Sequence, residues 1–133
     1  MLTHTLLIAD DQPEVRRLLR MSLGYGKYRL LEAESGEAAL HVARAEHPEI
    51  VVLDVMMPGR LDGLDVCRAL KDDPETASAY VVLLTARGQT GDQVAGRAAG
   101  ADAYMIKPFS PARLIEVIER RADRHVTVRA YGH

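Results

Sequence analysis

The most constraining stretch of this sequence is a run of four aliphatic residues, Ile50 to Leu53, that leads directly into Asp54. A continuous apolar run of this length is typical of a strand that is buried on both faces, as in a parallel sheet covered by helices. Pro58 ends the segment. Asp54 is therefore predicted at the carboxyl end of a central strand, the edge at which open α/β sheets bind their ligands.

Strand-like and helix-like segments alternate along the whole chain. Apolar or alternating runs predict four further strands, at residues 5–9, 28–33, 80–84 and 101–106. A helix is predicted after each strand, and four of the five begin near Asp11, Ser35, Thr90 and Ser110. This order predicts an α/β fold with a five-stranded parallel sheet, right-handed crossovers and helices on both faces. The leading candidate is the flavodoxin-like, doubly wound strand order 2-1-3-4-5.

Apolar residues at helical spacing predict the buried face of each helix. In the first helix the predicted inner residues are Val15, Leu18, Leu19, Ser22 and Leu23. In the last helix they are Leu114, Ile115, Ile118 and Ala122. The fourth helix contains an interior Gly96 and has Val94 as its only bulky apolar anchor. We therefore expect it to have low local stability and to move during switching.

Length and composition are those of one globular domain. The chain has 133 residues, of which we assign 1–124 to the domain and 125–133 to a C-terminal tail without a clear pattern. The formal net charge of −2, without a clustered basic face, argues against direct nucleic-acid binding by this domain. The single Cys67 excludes an intramolecular disulfide and fits a reducing compartment. Because residues 1–5 lack signal-peptide features and no apolar run approaches the ~18 residues of a membrane span, we expect a cytoplasmic protein without a membrane segment.

Polar side chains are predicted to meet at one edge of the sheet, because parallel strands all end on the same side. They are Asp10 and Asp11 after the first strand, Asp54 after the third, Thr85 after the fourth and Lys107 after the fifth. Clustered carboxylates resist ionising together, and one lysine offsets only one charge. Mg²⁺ would relieve this repulsion, since it takes carboxylate and phosphate oxygens as ligands. An aspartate is also a competent nucleophile for phosphoryl transfer, which needs mainly positioning and charge neutralisation.

These strand-end residues carry a resemblance to a known family. The motifs are Asp10-Asp11, Leu53 to Gly59, Leu84-Thr85-Ala86 and Lys107-Pro108-Phe109. Each is weak alone, but their order and their placement at strand ends are specific. Through them the sequence resembles the receiver domain of two-component response regulators, of which the single-domain chemotaxis regulator is the simplest example. The resemblance covers nearly the whole chain and implies a phosphorylatable signalling domain that is not a turnover enzyme.

The resemblance implies a magnesium-dependent phosphoacceptor site. By this resemblance Asp54 is the phosphoacceptor, and Asp11 and Asp54 bind Mg²⁺ directly. Asp10 acts on the metal through water, and the backbone carbonyl of Met56 is similar to the third protein ligand of the family.

The same resemblance implies residues for the phosphoryl group and for the switch. Thr85 is similar to the hydroxyl that moves toward the phosphoryl group, Lys107 to its ionic partner, and Ala86 to a backbone amide donor. Tyr104 is similar to the switch aromatic that turns inward when Thr85 moves. The Lys107-Pro108 bond is cis in the family.

The resemblance also implies partners. A histidine kinase or phosphotransfer protein would supply the phosphoryl group, and phosphorylation would change the face formed by helix 4, strand 5 and helix 5. A downstream protein, or an output domain missing from this chain, would read that face; whether two copies pair through it is left open. One departure from the family is the loop from Pro58 to Gly63, which is one residue longer than the commonest form and could alter the path into helix 3. Met56 and Arg87 lie at two variable positions that tune the lifetime of the phosphoryl group in the family.

Other functions and plainer roles compete with this interpretation. A phosphohydrolase of the haloacid-dehalogenase type would need a second Asp two residues after the nucleophile, where this sequence has Met56. A binding module that has lost phosphorylation would not need the full acidic set. Individually, Asp10 and Asp11 could cap the first helix, Lys107 could be a solvated surface lysine, and Tyr104 could be a half-buried packing residue.

Overall fold

The structure is a computed structural model that describes the backbone of residues 4–23, 27–86 and 90–131, and the side chains of residues 4–23, 27–86 and 94–121. Arg87 and the side chain of Ala122, both used in predictions above, lie outside the described residues. Within the described part of the chain, no helix has both the length and the apolar character that crossing a membrane requires.

Five strands form a single parallel sheet. They are β1 (His4–Ala9), β2 (Tyr28–Ala33), β3 (Ile50–Asp54), β4 (Tyr80–Ala86) and β5 (Ala103–Lys107). The helices that follow them are α1 (Pro13–Leu23), α2 (Gly36–Glu46), α3 (Gly63–Asp72), α4 (Thr90–Ala98) and α5 (Pro111–Tyr131). The strands lie in the order β2-β1-β3-β4-β5, and the pairs are all parallel. The predicted fold class and strand order are confirmed.

The central strand β3 divides the core into two parts. All five of its residues are buried. Val51 and Leu53 face a cluster that includes Ala39, Val66 and Leu70 from α2 and α3. Ile50 and Val52 face the other cluster, with side chains from α1 and α5 such as Leu19, Leu114 and Ile118. Helices therefore cover both faces, and the continuous apolar run is explained by burial on both sides of one strand.

Local side-chain bonds set several helix starts. Ser35 caps α2 by accepting from the amide of Ala38, and Asp62 forms a reciprocal capping box with Asp65 at the start of α3. The first helix begins at Pro13, so Gln12 precedes it, and the Gln12 carbonyl accepts from the amides of Val15 and Arg16. The alternative in which Asp11 serves as the helix cap is therefore wrong.

Three details of the helices differ from the sequence-based expectations. Leu18 and Val94, which were expected to face inward, are 42% and 73% exposed. The buried contact of α4 is instead Gly96, where an added Cβ would lie 2.7 Å from Cδ1 of Leu83. Because this glycine lets the helix approach the sheet closely, it serves packing in addition to lowering helix propensity. Helix α5 continues to Tyr131, well beyond the end expected near Arg124.

Candidate functional site

The carboxyl ends of β1 and β3 bring three carboxylates together. Asp10 directly follows β1 and is fully buried, while Asp54 is the last residue of β3 and is 4% exposed. Asp10, Asp11 and Asp54 each offer a carboxylate oxygen, and these oxygens lie within 4.8 Å of one another. Since all three donors are hard oxygen atoms, the cluster fits a hard divalent cation better than a soft transition metal. The structure therefore contains an acidic pocket that could bind a metal ion.

Lys107, the last residue of β5, is the cation of this cluster. Its ammonium nitrogen lies 2.8 Å from Oδ2 of Asp10 and 3.3 Å from Oδ2 of Asp54. Burial lowers the pKa of Lys107, but the hydrogen bond to Asp10 and the charge of Asp54 outweigh it, so the pKa is raised overall. The interpretation of Lys107 as a solvated surface lysine is wrong, because its side chain is only 20% exposed and pairs with two carboxylates.

Asp54 is held in a state that resists ionisation while no metal is bound. Burial and the neighbouring Asp10 raise its pKa from 3.8 to about 6, against the lowering effect of Lys107 and of the Met56 amide. The Met56 amide donates to Oδ1 of Asp54 at 3.2 Å. One ammonium therefore does not neutralise the cluster, and an additional positive charge would stabilise the ionised carboxylates.

Thr85 lies on the adjacent strand with an unused hydroxyl. The residue is 1% exposed, and its Oγ1 has no hydrogen-bond partner within the described part of the chain. A buried hydroxyl without a partner costs roughly 1–3 kcal/mol. In the register of β4 and β5, Thr85 pairs with Ile106 and Ala86 pairs with Lys107, so this part of β4 borders the lysine. The free hydroxyl is the expected feature of a site that completes its hydrogen bonds only when a polar ligand arrives.

Met56 presents its side chain to solvent. It is 62% exposed at the start of the loop between β3 and α3, directly beside the acidic pocket. The turn that carries it is closed by the Met57 amide, which donates to the carbonyl of Val55 at 3.2 Å. An exposed thioether at this position supplies no group that can transfer a proton to a bound substrate.

Gln12 is a site residue that sequence reasoning missed. Its side-chain oxygen accepts from the Lys107 ammonium at 3.1 Å, and its backbone amide donates to Oδ1 of Asp10 at 2.9 Å. The signal was weak, because a glutamine before a helix has no characteristic chemistry. Beside it lies a cleft of about 390 Å³, lined by Gln12, Val15, Leu18, Ala86, Lys107, Pro108 and Phe109. The peptide bond between Lys107 and Pro108, two of the lining residues, is cis, as expected.

Tyr104 lies farther along β5 and is half-buried. Its ring packs against the core cluster on the α3 side of the sheet, so the packing interpretation is confirmed. Its hydroxyl accepts from Nε of Arg97 on α4 at 2.9 Å, and the guanidinium carbon is 5.9 Å from the ring centroid. In the register of β4 and β5, Tyr104 pairs with Leu83. Leu83 lies two positions before Thr85 on β4, and side chains two positions apart point to the same face of a sheet, so Tyr104 and Thr85 share one face.

The sequence is similar to proteins that are named as regulators. Residues 6–119 match the family described as the response regulator receiver domain. Response regulator MprA of Mycolicibacterium vanbaalenii is 44% identical over 110 residues, which are 83% of this chain and 46% of that protein. Transcriptional regulatory protein ResD of Bacillus subtilis is 38% identical over 122 residues, which are 90% of this chain and 49% of that protein. The chain thus spans about half the length of the curated relatives it matches.

The fold is similar to solved receiver structures as well. The receiver domain of the Francisella response regulator 1452 superposes with a TM-score of 0.82 at 26% sequence identity. The superposition covers 92% of this chain and 99% of that one. The strand order, the acidic pocket and the sequence match therefore agree with one another.

Proposed function

The chain belongs to the response regulator receiver domain family of two-component systems, and from this membership we propose that it is switched by phosphorylation of Asp54. The observation that carries the proposal is the surroundings of this carboxylate. Asp54 is buried at the end of a rigid central strand, 3.3 Å from the Lys107 ammonium and within 4.8 Å of two further carboxylate groups. A nucleophile held in this way meets the positioning requirement of phosphoryl transfer.

The proposed metal is Mg²⁺, held by Asp11, Asp54 and the Met56 carbonyl, with Asp10 acting through water. The fit rests on the all-oxygen donor set and on the excess of negative charge that remains beside one lysine. When bound, Mg²⁺ would supply charge neutralisation for the phosphoryl oxygens and for the ionised carboxylates.

In the proposed transfer, the Asp54 carboxylate attacks the phosphorus of a phosphohistidine. A phosphorus–oxygen bond forms at Asp54, the phosphorus–nitrogen bond of the donor breaks, and the released imidazole nitrogen takes up a proton. Because the pKa of Asp54 is about 6, this carboxyl group is ionised in most molecules at neutral pH and is then available as the nucleophile.

Three other residues contact the oxygens of the transferred phosphoryl group in this proposal. Lys107 moves part of its ion pairing from Asp54 to a phosphoryl oxygen. The Thr85 hydroxyl, which has no partner among the described residues, donates to a second oxygen, and the Ala86 backbone amide donates to a third. The proposed switch follows, since a moved Thr85 leaves space on the face of the sheet that Tyr104 also occupies.

The proposed donor is a histidine kinase or a phosphotransfer protein, and the proposed reader is an output domain or a separate protein. The relatives named above are about twice as long as this chain, and one of them is named a transcriptional regulatory protein. In this proposal the face formed by α4, β5 and α5 carries the signal, and pairing of two copies through that face is one form its readout can take.

The geometry of the site does not support the phosphohydrolase alternative. Met56, at the position where that enzyme class needs a general acid, is an exposed thioether.

Incubation with acetyl phosphate and Mg²⁺ followed by intact mass measurement tests the proposed phosphorylation of Asp54. We expect a gain of one phosphoryl group that is absent in Asp54→Asn, whereas no gain in the wild-type protein under any condition would refute phosphorylation.

A further inference from the structure

The loop between β3 and α3 is held against the start of α2. The Arg60 amide donates to Oε2 of Glu37 at 3.1 Å. Beside it, Gly59 has a φ of 100°, a conformation that L side chains rarely adopt, and an added Cβ there would lie 3.0 Å from both carboxylate oxygens of Glu37. The loop therefore turns directly over this carboxylate.

The electrostatics of Glu37 show that several backbone groups converge on it. The Arg60 amide and the amide of Glu37 itself lower the pKa of Glu37 most, burial opposes them, and the Leu61 amide and the charge of Arg60 lower the pKa by less. Carboxylates that accept from backbone amides form stronger hydrogen bonds than neutral acceptors do. Glu37 thus binds the outer half of the loop mainly through the Arg60 backbone amide, and the charge of the Arg60 side chain adds a smaller attraction.

The helix start approaches the loop closely at a second point. An added Cβ at Gly36 would lie 2.2 Å from the carbonyl oxygen of Leu61. Only a glycine allows this approach without displacing the loop backbone. Together, Gly36 and Glu37 form a clasp, by which we mean the contacts of these two residues with Gly59, Arg60 and Leu61.

The clasp lies between two other fixed points of the loop. Near its base, the Gly63 amide donates to the carbonyl of Val55 at 3.0 Å. At its end, Asp62 and Asp65 form the capping box of α3. The residues between these points would otherwise keep conformational freedom, so a contact at the middle of the loop restricts them further.

We propose that Glu37 is a positioning residue for the metal and phosphoryl site, because it holds the β3–α3 loop in the conformation that places the Met56 backbone beside Asp54. This inference rests on the proposed function, which assigns the Met56 carbonyl to the metal. Glu37 itself is exposed and touches neither the metal ligands nor the phosphoryl group.

The experiment compares Glu37→Ala, Glu37→Gln and a matched control, Glu46→Ala. Glu46 lies at the other end of α2 and forms an exposed ion pair with Arg29, so its removal changes the charge of the same helix without touching the loop. Mg²⁺ affinity is measured calorimetrically without any phosphodonor, and hydrogen exchange of the Arg60 amide is measured in the metal-free protein. Urea unfolding of each variant confirms that the fold persists.

We expect Glu37→Ala to lose about threefold to tenfold in Mg²⁺ affinity, less than the loss of a group that bonds a metal ligand directly. Its Arg60 amide should exchange up to about tenfold faster, as expected for the loss of one hydrogen bond. Glu37→Gln keeps one neutral acceptor oxygen, which bonds amides less strongly than a carboxylate does, so it should lie between wild type and Glu37→Ala and closer to wild type in both measurements. Glu46→Ala should match wild type.

Two outcomes would overturn the proposal. If Glu37→Ala binds Mg²⁺ as tightly as wild type, the clasp does not position the site. If Glu37→Gln is as weak as Glu37→Ala, the charge of Glu37 and not its hydrogen bonding is responsible. The two proposals can also fail separately. If the variants follow the expected order of Mg²⁺ affinities but the wild-type protein gains no mass with acetyl phosphate, the clasp is supported and phosphorylation is refuted.

Discussion

The Lys107 ammonium nitrogen lies 2.8 Å from Oδ2 of Asp10, a side chain with no exposed surface. This pair joins the ends of β1 and β5, the first and last strands of the chain. It also means that the cation proposed to contact the phosphoryl group is already engaged before phosphorylation. Transfer must therefore redistribute an existing ion pair, in a site where one ammonium leaves the three carboxylates with excess negative charge.

Replacing this cation should expose the repulsion among the carboxylates. In Lys107→Ala, buried Asp10 loses its partner, and we expect the free energy of unfolding in metal-free buffer to fall by about 3 kcal/mol, the lower end for a buried pair because Lys107 is itself 20% exposed. Because Mg²⁺ would offset part of that repulsion, urea unfolding with added Mg²⁺ should recover much of the loss. Lys27→Ala, which removes an exposed ion pair with Glu119, is the control and should change stability little. Equal effects of the two substitutions would contradict the role of Lys107 as the cation that stabilises the buried carboxylates.

Asp54 should make the metal-free protein less stable as the pH rises. Its pKa is raised from 3.8 to about 6 on folding, so the folded state binds this proton more tightly than the unfolded state. The destabilisation is absent below the unfolded pKa, grows between the two values and is complete above the folded pKa, where it reaches at most about 3 kcal/mol.

Asp54→Asn lacks this titration and should therefore be more stable than wild type at pH 7, with the two proteins approaching each other toward pH 4. Urea unfolding at several pH values in the presence of a chelator measures the difference. A stability difference that does not depend on pH would show that Asp54 is not destabilised by its surroundings. Added Mg²⁺ should reduce the difference at pH 7, since it favours the ionised wild-type carboxylate.

Because the Thr85 hydroxyl has no partner among the described residues, we expect its removal to stabilise the protein, which is uncommon for a substitution in the core. Thr85→Val keeps the shape of the side chain and removes a buried group without a partner among the described residues. We expect the metal-free protein to gain up to about 1 kcal/mol of stability. Binding of beryllofluoride, a phosphoryl mimic, should weaken in the same variant. A clear loss of metal-free stability would instead mean that the hydroxyl has a partner in solution.

Arg97 should oppose inward movement of Tyr104. The hydrogen bond from Nε of Arg97 holds the Tyr104 hydroxyl against α4, while the ring stays half-buried. In Arg97→Ala this contact is lost, so we expect beryllofluoride to bind about twofold to fivefold more tightly, as the loss of one exposed hydrogen bond allows. Arg29→Ala, which breaks an exposed ion pair on β2, should bind it like wild type. Weaker binding by Arg97→Ala would show that the contact supports the active arrangement.

Much of the fold was predictable because two signals in the sequence are strong. Burial of β3 on both faces requires a continuous apolar run, and the repeated alternation with helices leaves few topologies for a parallel sheet. Those two signals alone place Asp10, Asp54, Thr85 and Lys107 at one edge. The convergence of the site could therefore be predicted without any knowledge of side-chain contacts.

The remaining details depend on packing between distant elements. Val94 is exposed because Gly96 sets which side of α4 meets Leu83, and a hydrophobicity pattern cannot reveal that a missing side chain makes the contact. Gln12 joins the site through a lysine far along the chain, and Glu37 contacts a loop from another βα unit. Such contacts follow from three-dimensional register, which single-sequence patterns do not encode.

The central claim is that Asp54 accepts the phosphoryl group, and chemical trapping tests it most directly. After incubation with acetyl phosphate and Mg²⁺, borohydride reduces an aspartyl phosphate to homoserine, which peptide mass spectrometry locates in the sequence. We predict homoserine at position 54, dependent on Mg²⁺ and absent when a chelator replaces the metal. Homoserine at Asp10 or Asp11, or its absence from every peptide of a folded protein, would contradict the account.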